Sequence, residues 1–296
     1  LMGMADLVPG VSGGTMALIT GIYERLIQAI AAVNWANFKL LLAGNISQAW
    51  KQVDGWFLVA VFAGILTAIF SFASVFKYLL LNHPVLTWSF FFGLIISSAV
   101  MLLLKHRSKQ LRSWLLLLVG LVAGYVVSTQ PLGALPAGNL GVFIAGTVAI
   151  CAMILPGLSG AFILLLLGVY EFILGALIYF NLPYIGVFIA GCVVGLLSFS
   201  RLLAWLLHRY HQLSYGCITG MLLGSITVLW PWQHTVSSYT DAAGEVHPLL
   251  RANVLPTNYA EVTGLEPVLL LTFVCSVSGA LLVLVLHRLF NSRSES

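Results

Sequence analysis

The chain has 296 residues, of which 60% are hydrophobic and only 7% charged, with a mean hydropathy of +1.03. Soluble domains carry about 25% charged residues, so the composition excludes a soluble enzyme or binding module and defines a polytopic membrane protein. The net charge of +4 comes from loop lysines and arginines and is no nucleic-acid footprint. Cys151, Cys192, Cys217 and Cys275 lie in apolar segments without a Cys-x-x-Cys pair, the pattern of packed thiols and not of a disulfide or metal site. No His-Glu-x-x-His occurs and all seven histidines fall in loops or at span ends, so no metal and no cofactor are expected.

In chain order, the stretch Ala5-Asp6-Leu7-Val8-Pro9-Gly10-Val11-Ser12-Gly13-Gly14 comes first, followed by an apolar run through Gly21-Ile22-Tyr23-Glu24. The chain opens inside this motif, which points to a few preceding residues in the natural protein. Thr15 to Ala32 reads as one helix ending near an aqueous face. Residues 33–55 mix Trp, Lys and apolar residues and predict an interfacial amphipathic segment. Spans are predicted over 56–80, 84–104 and 113–129, the last marginal in length, and 130–138 is an uncharged turn. Residues 139–178 are apolar except at Pro156-Gly157-Leu158-Ser159-Gly160. Further spans cover 184–207, 213–230 and 267–289. A polar loop, 231–266, separates the last two, with Asp241, Glu245, Glu261 and Glu266 against Arg251 alone.

The opening motif returns. Residues 5–30 align with 152–177 with ten identities, among them Pro, Gly, Ser, Gly, Tyr and Glu, which marks an internal repeat. Further on, Ala63-Gly64 matches Ala190-Gly191, Ser71-Phe72 matches Ser198-Phe199, and Gly93 matches Gly220. Each half, 1–138 and 139–296, is therefore a motif hairpin followed by three spans, with the interfacial insert in the first half alone. Lys105, Arg107, Lys109 and Arg112 place the 105–112 loop in the cytoplasm, as Arg288 and Arg293 do the C-terminus, and the acidic 231–266 loop falls outside. Following the spans from there, 139–178 leaves from and returns to the outside, and the first motif opens to the cytoplasm. The two halves are then inverted, the arrangement common in secondary transporters. The fold class expected is an all-α polytopic membrane protein with an inverted-topology repeat. Its hairpin tips either meet at membrane depth or, as two full spans, reach the surface; the apolar neighbours of the tip and its lack of Lys or Arg favour burial.

Non-helical backbone at membrane depth requires burial in protein or a wet cavity. Pro breaks the incoming helix, glycine admits positive φ, and Ser12 and Ser159 are N-cap candidates. Helix-start N–H groups at Gly10, Ser12, Gly13, Gly14 and Thr15, and at Gly157, Ser159 and Gly160, favour an anion such as phosphate; the competing reading is a turn that satisfies its own N–H groups. Asp6, Glu24 and Glu171 are the acids inside the motifs, and charges there are usually functional. Each Glu lies twelve residues beyond its serine, toward the mouth of its hairpin, as an interfacial group, a proton carrier or a partner for a base. Asp6 can cap, pair with a base or carry a proton. Arg201, in the span 184–207, can pair a phosphate bidentately or snorkel to the surface; Lys77 is nearer its span end.

Asp-Leu-Val-Pro-Gly-Val-Ser-Gly-Gly-Thr at 6–15, Gly-Ile-Tyr-Glu at 21–24, Leu-Pro-Gly-Leu-Ser-Gly at 155–160, and Gly-Ser followed by Trp-Pro-Trp within 224–232 resemble the bacterial DUF368 family over nearly the whole chain. The resemblance implies a translocase, not an enzyme, returning undecaprenyl phosphate, the C55 lipid carrier of cell-wall synthesis, to the cytoplasmic leaflet of the bacterial cytoplasmic (inner) membrane. It marks Asp6, Ser12, Glu24, Ser159 and Glu171 as site candidates. The residues fit such a flippase: a phosphate held between the motifs, the polyprenyl tail left in lipid, and alternating access coupled to a proton or sodium ion. The alternative is a coupled transporter or channel for a small soluble anion.

Overall fold

The computed structural model describes residues 1–7, 11–105, 110–130, 133, 135, 136, 138–240 and 246–291. The chain begins with three short helices, α1 (Met2–Asp6), α2 (Gly13–Ile19) and α3 (Tyr23–Ala31). The insert forms α4 (Trp35–Leu42) and α5 (Ile46–Gln52). Three long helices follow, α6 (Gly55–Asn82), α7 (Pro84–Lys105) and α8 (Leu111–Thr129). After these come α9 (Asn139–Ile154), α10 (Gly160–Leu166), α11 (Tyr170–Ile178), α12 (Leu182–Arg209) and α13 (His211–Gly224), which runs on as a 3₁₀ turn over Ser225–Leu229. The outer segment carries β1 (Gln233–Thr240), β2 (Val246–Asn253) and α14 (Tyr259–Thr263), and α15 (Leu269–Asn291) closes the fold. Among the described residues six helices are long and apolar enough to cross a membrane, in the places where the hydrophobic runs predict spans. The protein is an all-α polytopic membrane protein with a broken helix pair.

The predicted helix from Thr15 to Ala32 is two helices. At its end Gly21 takes φ +74°, Ile22 N–H donates to Ala17 O at 2.9 Å and Gly21 N–H to Leu18 O at 3.2 Å. This is a Schellman termination, and glycine supplies its left-handed residue without strain. The second copy does the same: Gly168 has φ +68°, Val169 N–H donates to Leu164 O at 3.1 Å and Gly168 N–H to Leu165 O at 3.0 Å. The axis bends by 113° between α10 and α11. The Gly-x-Tyr-Glu signature is therefore a stop followed by a start. Glu24 and Glu171 fall in the first turns of α3 and α11, where a carboxylate faces the positive end of the helix dipole.

The 16 residues of α9 span about 24 Å at 1.5 Å per residue, less than the roughly 30 Å hydrocarbon core. The break at 155–159 ends this short helix. It is covered by protein: Pro156 is fully buried and Leu158 is 4% exposed. Helix α2 is buried along almost its whole length. One side packs Val11 and Met16 with Trp88, Ile95 and Leu222, and the other packs Ala17 and Leu18 with Leu203 and Ile218. The first motif is in this way the centre of the bundle.

Around it the long helices pair closely, α7 with α15, α8 with α13 and α9 with α12. Small residues permit this. A Cβ on Gly93 would collide with the backbone of Ser276, and one on Gly220 with that of Leu117. Without a hydrophobic drive between helices in lipid, such close backbone approach is the main source of association.

The insert is anchored at its end. Arg25 grips Asp54 with two bonds, Nε to Oδ2 at 2.6 Å and Nη2 to Oδ1 at 3.1 Å, and stacks its guanidinium 4.2 Å from the Phe57 ring centroid. The Arg25 hydrogen bonds hold the Asp54 carboxyl below its usual range. A folded-state value below the unfolded one makes the contribution to stability present above about pH 4 and lost as pH falls through the lowered value. Both groups are exposed, so the effect is small. Asp54 has φ +49°, which asparagine tolerates. The expected result is a gap in unfolding midpoint between wild type and Asp54→Asn at pH 7 that narrows as the pH is taken below about 4, read by thermal unfolding in detergent.

The 231–266 segment, expected as a plain polar loop, folds into an antiparallel hairpin pairing Gln233 with Asn253 and Thr240 with Val246. It is tied down by Trp230 Nε1–H donating to Val254 O at 2.8 Å and Trp232 Nε1–H to Pro267 O at 2.9 Å. Arg251 lies 5.0 Å from the Trp88 ring centroid, a cation–π contact.

Candidate functional site

Breaking α9 leaves its last carbonyls without intrahelical partners. The first motif supplies the missing donors. Ser12 Oγ–H donates to Met153 O at 3.0 Å, with Leu155 O at 3.4 Å as the weaker choice, and Tyr23 O–H donates to Ile154 O at 3.3 Å. In the other direction Thr15 Oγ1 accepts Gly157 N–H at 2.9 Å. Gly157 has φ +87° and faces Ser225, whose Oγ lies 2.5 Å from where a Cβ would stand. Gly14 is equally constrained, since a Cβ there would be 2.7 Å from Ile154 O. Ser12 is 1% and Thr15 0% exposed, so this mutual capping of two breaks takes place away from water.

The first break also satisfies itself. Ser12, with φ −116° and ψ 137°, is the N-cap of α2 and accepts Gly14 N–H at 3.1 Å. Asp6 Oδ1 accepts Gly13 N–H at 2.7 Å. The N–H groups of Gly13, Gly14 and Gly157 are therefore engaged by side chains, as in the second of the two readings that the sequence leaves open for these turns. The second break differs. Ser159 is the N-cap of α10 but makes no side-chain cap, and the position equivalent to Asp6 is Met153.

The remaining candidates lie elsewhere. Gly10, with Pro9, falls outside the described residues. Glu24 Oε1 accepts Tyr215 O–H at 2.7 Å and lies 3.0 Å from His211 Nε2, joining α3 to α13. Glu171 is exposed on α11. Arg201 is exposed and donates from Nη2 to Val33 O at 2.7 Å, so the structure does not bring it to the paired breaks. Lys77 lies on an exposed part of α6. Three contributors escaped sequence reasoning: Tyr23, Ser225 and the His211–Tyr215 pair. Ser225 belongs to the Gly-Ser…Trp-Pro-Trp stretch, which was the available signal for it. All four cysteines are free thiols, and no group of three His, Cys, Asp or Glu side chains suited to a metal occurs among the described residues.

A cavity of about 820 Å³ begins at the first break, where Asp6, Gly13 and Gly14 line it, and runs between α3, α6, α9 and α12 to Val33 and Trp50. Apart from Asp6 its walls are hydrocarbon, with Ile30, Leu58, Phe62 and Leu197 on facing helices.

A helical membrane protein whose centre is a pair of broken, mutually capped hairpins has the construction of a transport protein. The chain matches the VCA0040-like family, described as undecaprenyl phosphate translocase-like, over residues 2–247, and it belongs to that family. It is 42% identical over 288 residues to the polyprenyl-phosphate transporter of Vibrio cholerae serotype O1, covering 97% of this chain and 93% of that protein. It is 31% identical over 248 residues to the polyprenyl-phosphate transporter of Staphylococcus aureus, covering 78% and 83%. No solved structure matches it. The family and both relatives are described as translocases or transporters, not as enzymes.

Proposed function

We propose that the protein carries undecaprenyl phosphate, or a close polyprenyl phosphate, from the outer to the cytoplasmic leaflet by alternating access at the paired breaks. The observation that carries this reading is the buried meeting of Ser12 and Thr15 with Met153 and Gly157 beside the inner end of an apolar cavity. It is supported by the names of the two relatives. The headgroup is handled by the N–H and hydroxyl groups of Ser12, Gly13, Gly14, Thr15, Gly157, Ser159 and Gly160, with Gly10 from the sequence pattern. Arg201 has no part in it, because its guanidinium is committed to Val33 at the periphery.

An inverted repeat gives this centre its two states. Exchanging the halves turns the α7–α15 pair into the α13–α8 pair, and both pairs are present, as are their matching close contacts at Gly93 and Gly220. Asp6 provides the coupling. Its carboxylate holds the Gly13 N–H that a phosphate would need, and two anions cannot share it, so substrate enters when Asp6 takes up a proton and turns away. In this scheme Glu24, held by Tyr215, and Glu171 are structural.

The alternative of a small soluble anion makes a different demand on binding. With purified protein and a fluorescent polyprenyl phosphate, unlabelled polyprenyl phosphate should displace the probe, whereas polyprenol and inorganic phosphate should not. Displacement by inorganic phosphate at the same concentration would favour the soluble-anion reading.

A further inference from the structure

From the cavity we infer that the isoprene units nearest the phosphate travel inside the protein, between α6 and α12, and not in bulk lipid. This rests on the proposed function and names the place of the tail. Three observations carry it. First, the cavity is continuous with the first break: Gly13 and Gly14 form its inner end. Second, its lining suits an isoprenoid chain. Hydrocarbon covers the walls, with Asp6 the one acidic side chain, at the inner end, and a volume of about 820 Å³ is in the range of pockets that enclose a drug-sized ligand, roughly 300–1,000 Å³. Third, α6 forms the outer wall almost by itself. Phe62 and Phe70 are 63% and 85% exposed, and the helix is fixed to the bundle chiefly through α1, where Gly3 lets Ile65 and Ala68 approach. A wall held along one line leaves a side open to the bilayer, through which the far end of a long chain can continue into lipid.

The same geometry gives the insert a task. Trp50 and Val53 border the cavity, and α5 packs on the start of α6. The insert has no counterpart in the second half, so the tail cavity belongs to one side of the protein. With the first motif opening to the cytoplasm, that side faces the leaflet that receives the lipid. The proposal is an asymmetric carrier: the two breaks share the headgroup, and only the receiving side encloses the tail.

The test is photolabelling in nanodiscs with a polyprenyl phosphate bearing a diazirine on an early isoprene unit. Label is expected on Leu58 or Phe62 and on Leu197, displaced by unlabelled polyprenyl phosphate and not by phosphatidylglycerol. Leu58→Trp and Leu197→Trp, which fill the cavity from opposite walls, should each lower labelling at least fivefold. Label confined to the outer faces of α8 or α15, or displaced equally by phosphatidylglycerol, would overturn the assignment. If probe displacement by polyprenyl phosphate then remains intact, the tail cavity alone is wrong. If that displacement is lost in wild type as well, the functional reading falls with it.

Discussion

Gly14→Ala should lower the rate of polyprenyl phosphate translocation at least tenfold. The added Cβ would stand 2.7 Å from Ile154 O, a backbone atom that cannot step aside. Its neighbours Met153 O and Gly157 N–H are held by Ser12 and Thr15, and Ile154 O itself is held by Tyr23. Overpacking of this kind costs about 1–3 kcal/mol. If the hairpins separate to relieve it, the buried Gly157 N–H loses its acceptor at a further cost of about 1–3 kcal/mol. Either route depletes the closed junction. The control is Gly175→Ala on α11, where a Cβ meets nothing within 4 Å and transport should stay near wild type. Initial rates in vesicles, normalised to folded protein by size exclusion, decide the matter, and wild-type rates for Gly14→Ala would show that the tight junction is dispensable.

Asp6→Asn should uncouple transport from the proton gradient. The amide oxygen can still accept Gly13 N–H, so the fold of the first break is kept. In the proposed scheme this removes the charge that competes with phosphate, and with it the group whose protonation would link substrate to gradient. Net uptake driven by an inward proton gradient is expected to fall at least tenfold, while exchange of labelled for unlabelled substrate continues without a gradient. Asp6→Ala, which strands the Gly13 N–H, should impair both. An Asp6→Asn protein that responds to the gradient like wild type would move the coupling to another residue or another ion.

The spans were legible because each is a long apolar run, and length and hydropathy alone fix such a segment. The breaks were legible because Pro-Gly-x-Ser-Gly occurs twice in apolar surroundings. The bends at Gly21 and Gly168 were not, since hydrophobicity continues through them. Their signal is local: a glycine followed by Tyr-Glu closes one helix and starts the next, and this also removes the straight-helix separation of Glu24 from Ser12. The capping of α9 by Ser12 and Tyr23 is tertiary, across more than 130 residues, and no periodicity encodes it. Thr15, present in the first copy alone, hinted that the copies are unequal. The folded structure gives that inequality its content, with hydroxyls donated by one break and carbonyls offered by the other. Arg201 shows the converse. A lone arginine in an apolar span reads either as a phosphate ligand or as a snorkelling side chain, and eight residues from the end of α12 its guanidinium meets Val33 O.

The most direct test of the account is leaflet-resolved translocation. Purified protein is reconstituted into vesicles holding labelled polyprenyl phosphate, and the label exposed on each face is followed after imposing proton or sodium gradients of either sign. The account predicts movement well above protein-free vesicles, dependent on the phosphate, driven by an inward proton gradient and largely lost in Gly14→Ala. Rates no greater than those of protein-free vesicles under every gradient would contradict it.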